Sequence, residues 1–314
     1  MDDALASIAA EPALAWKQAV LLGGAAPDSP EAQAAALCVR RSALVEELLA
    51  GRERDGHAYF KWTGSHWILS VLADLGCPPG DASLRPLMEE TFAFWLSEGH
   101  QRKHMRMLAG RMRRCASQEG YAVWSSLRLG FADGRTDELV RRLLEWQWPD
   151  GGWNCDKRPD AHVSSFMETL IPLRALALYA RVRGEAQVRR AAERAAEVFL
   201  ARRLFRRRSD GAPMDPAFLR LSYPPYWHYH LLFALKVMAE SGVLSDPRCA
   251  EALDWLEARR LPDGGFPAEE SFSRRSRPDL SGYAPVAWGG KSPRRANPFV
   301  SVDALYVLRQ AGRA

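Results

Sequence analysis

The sequence predicts an almost all-α chain that closes into an (α/α)6 toroid of repeated helical hairpins. Apolar stretches end in glycine at Gly23, Gly76, Gly130, Gly184, Gly242 and Gly312, at steps of 53, 54, 54, 58 and 70 residues. Five arginine- and glutamate-rich amphipathic stretches lie between them, and no run of β-branched residues at period two interrupts the pattern. Self-similarity at such a period marks a repeat architecture. All 314 residues read as one domain.

Each element follows from local chemistry. Glycine tolerates the left-handed conformation that closes a helix, so the six glycines read as six stops of one helix kind. Stretches such as Trp67 to Leu75, Val163 to Ala180 and Leu231 to Met238 are apolar on most sides and need burial nearly all round. The second kind lies near residues 30–50, 84–98, 136–147, 186–204 and 247–260, with polar groups along one side. Capping oxygens stand at Ser29, Ser83, Thr136 and Asp246, and proline follows Ser29 and Asp246. A reversal then leads into the next apolar helix, most fully at Gln147–Trp153 and Leu261–Phe266, with weaker copies at Asp55–Gly56, Asp210–Gly211 and Glu98–Gly99. An inner ring inside an outer ring satisfies both helix kinds, and closure removes the need for polar end caps.

Composition bounds the function classes. With 47% hydrophobic and 26% charged residues the chain carries a sizeable core, which excludes wholesale disorder. The net charge of +5 rests mostly on arginine, since only six lysines occur. Five cysteines, Cys38, Cys77, Cys115, Cys155 and Cys249, form no C-x-x-C pair, so neither a disulfide framework nor a zinc knuckle is indicated. The start, Met1-Asp2-Asp3, lacks a basic leader, and no run reaches 18 apolar residues, which gives an expectation of a cytoplasmic chain without a membrane span.

The turn Gln147-Trp148-Pro149-Asp150-Gly151-Gly152-Trp153 resembles the Q-W repeat of the squalene–hopene and oxidosqualene cyclases. The Asp-Gly-Gly-aromatic turns also resemble those of protein prenyltransferase β subunits. Only one turn carries the glutamine, and the resemblance implies a single-barrel relative of the terpenoid cyclase and prenyltransferase superfamily. Neither an Asp-x-Asp-Asp acid nor an Asp-Asp-x-x-Asp run occurs, the one Asp-Asp pair being Asp2–Asp3.

Inner helices that all start after such turns place their N-termini at one rim, where helix dipoles and unpaired N–H groups favour anions. Candidate catalytic groups there are Asp156 and Glu168 as proton donors, with His162 or His228 tuning or relaying the proton. Glu168 sits early in an apolar helix, where a carboxyl is costly unless neutral or paired. Candidate substrate-binding residues are Trp62, His66, Trp67, Glu119, Trp153, Tyr226, Trp227, His230 and Asp303. Zinc is considered at Cys155 and His162, because the prenyltransferase resemblance implies a zinc held at inner-helix starts; no metal and no cofactor are assigned.

Arginines cluster at Arg202, Arg203, Arg206, Arg207 and Arg208, and again at Arg274, Arg275, Arg277, Arg294 and Arg295. They read as solvated faces, with a diphosphate or an anionic membrane surface as the alternative contact; no nucleic-acid module accompanies them. The segment of about 267–298 reads as a lid over the rim. The resulting expectation is a terpenoid-cyclase-like enzyme acting on a small apolar isoprenoid in an aromatic-lined cavity. The alternatives are a carbohydrate-active toroid, lyase or hydrolase, and a non-catalytic toroid that binds a lipid or peptide.

Overall fold

The structure, a computed structural model, describes residues 11–52, 57–276 and 281–313. Asp2–Asp3, the Asp55–Gly56 turn and Arg277 lie outside the described residues. The first hairpin pairs the inner helix α1 (Pro12–Lys17), continued by a π-helical turn over Gln18–Leu22, with the outer helices α2 (Pro30–Arg40) and α3 (Ala43–Ala50). The second pairs α4 (Ser65–Leu75) with α5 (Arg85–Leu96), after which come a short helix α6 (Glu98–His104) and a ribbon of β1 (Arg106–Leu108) and β2 (Arg111–Arg113). The third pairs α7 (Ser117–Arg128) with α8 (Gly134–Trp146), and the fourth α9 (Phe166–Arg183) with α10 (Ala186–Leu200). The fifth pairs α11 (Leu231–Glu240) with α12 (Ala250–Glu257). A second antiparallel ribbon, β3 (Pro267–Ala268) with β4 (Ser292–Ala296), precedes the last inner helix, α13 (Pro298–Gln310).

Inner helices touch in the order α1, α4, α7, α9, α11, α13, and α13 packs back on α1. The ring is therefore closed, an α/α toroid, as the repeat predicts. Helix α4 buries every residue except Asp74, as an all-round apolar helix must. Helix α10 buries Val188, Ala191, Ala192, Ala195, Ala196 and Phe199 on one side and leaves its charges wet. Helices α7 and α9 approach most closely at Gly120, where a Cβ would lie 2.8 Å from the Pro172 nitrogen.

Caps and stops follow the predicted chemistry with local shifts. Gly76, Gly130, Gly184, Gly242 and Gly312 adopt positive φ, but the first inner helix turns at Gly24 (φ 74°), because the π-helical turn adds a residue before the reversal. Ser29 and Asp246 cap as expected. At the second outer helix Asp81, not Ser83, accepts the first N–H, and Asp133 caps α8 while Thr136 completes its capping box. The first outer stretch breaks at Ser42, whose side chain caps α3. Residues 98–99 form no turn: Ser97 caps them into α6.

Six charged side chains meet across the ring. The fully buried Lys17 ammonium donates to Asp74 at 2.6 Å and to Asp303 at 3.0 Å, and Lys236 reaches the same two carboxylates at 2.9 Å each. Arg174 binds Asp74 and, through two nitrogens, Glu240. Burial alone would raise the Asp74 pKa, but Lys17, Lys236 and Arg174 together outweigh it and hold the carboxyl well below its usual range. Asp303, expected among substrate-binding residues, belongs to this network because its inner-helix position faces the axis. Asp74→Ala leaves Lys17 and Lys236 short of a buried counter-ion and is expected to cost about 3–5 kcal/mol in denaturant unfolding. Since the Asp74 pKa is depressed, its contribution is present above the ordinary carboxylate value of about 4 and lost as the pH falls below it. Wild type should thus lose its advantage over the variant in acid; a constant gap from pH 7 to pH 3 would contradict the sign.

Candidate functional site

The predicted aromatic chamber is filled by its own lining. Trp62 stacks on Tyr226 with centroids 3.8 Å apart and meets the edge of Trp67 at 4.8 Å. The Trp62 indole N–H donates to the Phe272 carbonyl at 2.7 Å, and the Tyr121 hydroxyl donates to the Tyr226 carbonyl at 2.5 Å. The space left beside Tyr121, Tyr223 and Tyr226 is about 20 Å³, room for one water and not for an isoprenoid. These aromatics, together with Trp153, whose N–H donates to the Leu143 carbonyl, are core residues. Described residues of the segment 267–298 pack into this end: Gly282 N–H donates to Lys61, Trp62 N–H to Tyr283, and Phe272 stacks on His228 at 3.5 Å.

Most of the polar candidates have structural duties. His66 accepts from the Trp95 indole at 3.1 Å, and burial lowers its pKa to about 3. His230 caps α11 by accepting from Phe233 N–H, and burial likewise takes it to about 3. His228 lies between Trp227 and Phe272 with its pKa lowered to about 4 by burial, so it stays neutral at ordinary pH, and its Nδ1 donates to the Pro225 carbonyl at 3.2 Å. Glu119 is buried and bound by Arg114 at 2.8 Å. Asp156 pairs with Arg158 at 2.6 Å, and that hydrogen bond lowers its pKa, which disqualifies it as an acid. His162 is exposed and donates to the Asp160 carbonyl at 2.8 Å. No helix begins at His162, since α9 starts at Phe166, and His162 does not join Cys155.

Glu168 alone among the catalytic candidates occupies a built polar centre. It lies in the first turn of α9, and its Oε2 accepts from the Ser117 N–H at 3.1 Å and the Ser117 hydroxyl at 2.8 Å. The Cys155 thiol donates to its Oε1 at 3.6 Å, and the ligand atoms of Cys115, Cys155 and Glu168 all lie within 4.8 Å of one another. Burial raises the Glu168 pKa against the lowering effect of the Ser117 bonds. The Cys115 thiol is pushed far up, first by its hydrogen bond with Cys155 and then by burial. Tyr59 stands beside Gln118, Glu168, Cys115 and Arg114, its phenol raised mainly by burial. Both cysteines are half-buried, and two sulfurs with a carboxylate oxygen form a donor set suited to a borderline-soft cation.

Lys103, Arg106 and Lys157 are exposed, and Arg114, Lys103 and Lys157 all act on His104. Elsewhere Arg203 and Arg206 bind Glu251 and Arg207 binds Asp210 around a groove of about 460 Å³. A cavity of about 320 Å³ lies at the opposite pole, among Trp16, Asp74, Trp124, Arg128, Arg174 and Glu240. Its two carboxylates are held ionised by Lys and Arg partners, so neither is a carboxylic acid that could donate a proton. The sequence reading missed Cys115, Ser117 and Tyr59. The one available signal is that Cys115 and Cys155 precede successive inner helices, α7 and α9, which a closed ring makes neighbours.

No protein-family profile matches the sequence, and no curated protein is similar to it in sequence. Two solved structures are similar. One pairs a substituted form of a protein abbreviated UGL with the saccharide dGlcA-Glc-Rha-Glc, at 15% identity and a TM-score of 0.44. The other is an unsaturated glucuronyl hydrolase from Bacillus sp. GL1, described as responsible for the degradation of glycosaminoglycan, at 15% identity and a TM-score of 0.41. Each alignment covers 95% of this chain and 84% of the other. Neither structure is a terpenoid cyclase or a prenyltransferase. No helix among the described residues is long and apolar enough to cross a membrane.

The rim depends on its glycine turn. Gly152 has no room for a Cβ, which would lie 2.4 Å from the Thr169 hydroxyl and 2.7 Å from the Ser164 Cβ. Gly152→Ala is expected to displace Trp153 and Cys155 and cost about 1–3 kcal/mol, read as a lower melting temperature; an unchanged melt would show that the turn yields.

Proposed function

We propose that the chain is an enzyme acting on an acidic carbohydrate at the amino-terminal rim, with Glu168 as the carboxyl of its reactive centre. The observation that carries this reading is the placement of Glu168. It is buried, held in one orientation by Ser117, and has no salt-bridge partner among the described residues, while its second oxygen faces the half-open Cys155. A carboxyl so placed is available to transfer a proton to or from a bound sugar, a step worth about 10²–10⁴-fold in rate. Tyr59 stands on the same side as a second hydroxyl. Glu119, the other buried rim carboxylate, is bound by Arg114, so no free carboxylate pair of the usual glycosidase kind is formed there.

Charge supports the substrate class. Glu168 lies at the N-terminus of α9, a helix end equivalent to about half a positive charge, and the exposed Lys157, two residues beyond Cys155, acts with Lys103 and Arg114 on His104. An anionic sugar is favoured over a neutral one by that field, and over an apolar chain because the described aromatics leave only about 20 Å³ beside Tyr121, Tyr223 and Tyr226. Turnover of uronate-containing oligosaccharides should exceed that of neutral ones, and their binding should weaken as salt rises, because the field is screened over about 10 Å at 0.1 M. Glu168→Gln should lower turnover at least 100-fold while the melting curve stays near wild type. Equal turnover by wild type and the variant, or no difference between acidic and neutral sugars, would remove the reading.

A further inference from the structure

We propose that Cys115, Cys155 and Glu168 form a binding site for one zinc-type divalent cation, an assignment that rests on reading this rim as the reactive centre. Geometry comes first. A tetrahedral zinc holds sulfur at about 2.3 Å and carboxylate oxygen at about 2.0–2.2 Å, so the edges of its ligand set are about 3.6 Å for S···O and about 3.8 Å for S···S. The Cys155 sulfur and Glu168 Oε1 stand 3.6 Å apart, and no ligand atom of the three is more than 4.8 Å from another. The Cys155–Glu168 pair already stands at the edge length of such a polyhedron, and the Cys115 sulfur lies within 4.8 Å of both.

The supports of these ligands point the same way. Ser117 ties the second Glu168 oxygen with two hydrogen bonds, which fixes the first oxygen toward the thiols as an outer-shell partner does in metal sites. The three residues come from separate segments: Cys115 from the link between β2 and α7, Cys155 from beyond the Gly152 turn, and Glu168 from α9. The close contact of α7 and α9 at Gly120 holds the first and last of these in register. Arg114, the nearest guanidinium, is committed to Glu119. The Gln118 Oε1 is buried without a partner, and the cysteines are half-buried. Three protein ligands leave the fourth tetrahedral position to a non-protein ligand, as in a catalytic site and not a closed structural one. Two sulfurs exclude magnesium and calcium, which take oxygen.

Binding is balanced by proton release. The cation replaces the thiol protons of Cys115 and Cys155, which pass to the buffer, and Glu168 binds as carboxylate. Ligation and proton transfer by Glu168 exclude each other, so the bound cation is expected to lower the saccharide turnover of the stripped chain.

The test uses the full chain, reduced and stripped with chelator, then titrated with Co(II). One equivalent should bind, with thiolate-to-cobalt charge-transfer absorption in the near ultraviolet and the visible bands of a tetrahedral site, and one equivalent of Zn(II) should bleach both. Cys115→Ala and Cys155→Ala should each lose the charge-transfer absorption and at least ~100-fold in affinity, and Ser117→Ala about 10-fold. Cys38→Ala, which removes an exposed cysteine on α2, should match wild type. Melting curves of the metal-free variants establish folding, and Cys→Ser replaces any alanine variant that fails to fold. Absence of stoichiometric cobalt uptake by wild type, or identical spectra for Cys155→Ala and Cys38→Ala, overturns the site. Cobalt uptake without turnover of any acidic saccharide removes the functional reading and leaves the site standing. Saccharide turnover by a stripped chain that takes up no cation does the reverse.

Discussion

A ring made from one chain has to join helices from its two ends, and here Lys17 makes that join. Its ammonium, on the first inner helix, binds Asp303 on the last and Asp74 on the second. Lys236 repeats the bridge from the opposite side, and Arg174 ties Asp74 to Glu240. Three cations and three anions thus neutralise one another on the axis. Ion pairs of this kind add little net stability compared with a packed apolar core, yet a single missing partner is costly. They select one closure, because a ring shifted by a repeat would leave buried charges unmatched.

Closure in turn decides which parts of the axis are open. With the ionic network toward the carboxy-terminal pole and Trp62, Trp67, Tyr121 and Tyr226 stacked toward the other, the described residues close the axis at both places. The expected isoprenoid chamber fails for a packing reason. Large aromatics that face one another around a narrow ring gain more by filling it than by lining a void. Chemistry is displaced outward to the rim between α7 and α9, where the turn after Trp153 lifts Cys155 above Glu168. The proposed reaction and the proposed cation use this same corner, and both depend on Ser117 holding one carboxylate oxygen.

Histidine shows how context overrides composition. His66, His228 and His230 sit at inner-helix starts, as a site reading requires, but each is packed among aromatics and held neutral by burial. The position of such residues was legible and their role was not, because a histidine at a helix start serves equally as a cap, a packing ring or a proton carrier until its neighbours are known. Asp156 shows the reverse case: half-buried beside Arg158, it is spent on a local ion pair that i,i+2 spacing already allows.

The amino-acid sequence by itself determined the repeat, the two helix kinds, most stops and caps, and the closure of hairpins into a toroid. These rest on interactions within a few residues, such as positive-φ glycines and Ser29 or Asp246 oxygens, and on apolar periodicity. Glu168 was also visible, as a carboxyl out of place in an apolar helix. Tertiary structure alone decided that Cys115 meets Cys155, that Asp303 meets Lys17, and that the aromatics fill the axis. Those contacts join residues 40 to 286 positions apart, and their partners are set by how six helices pack around a common centre, which no local pattern encodes.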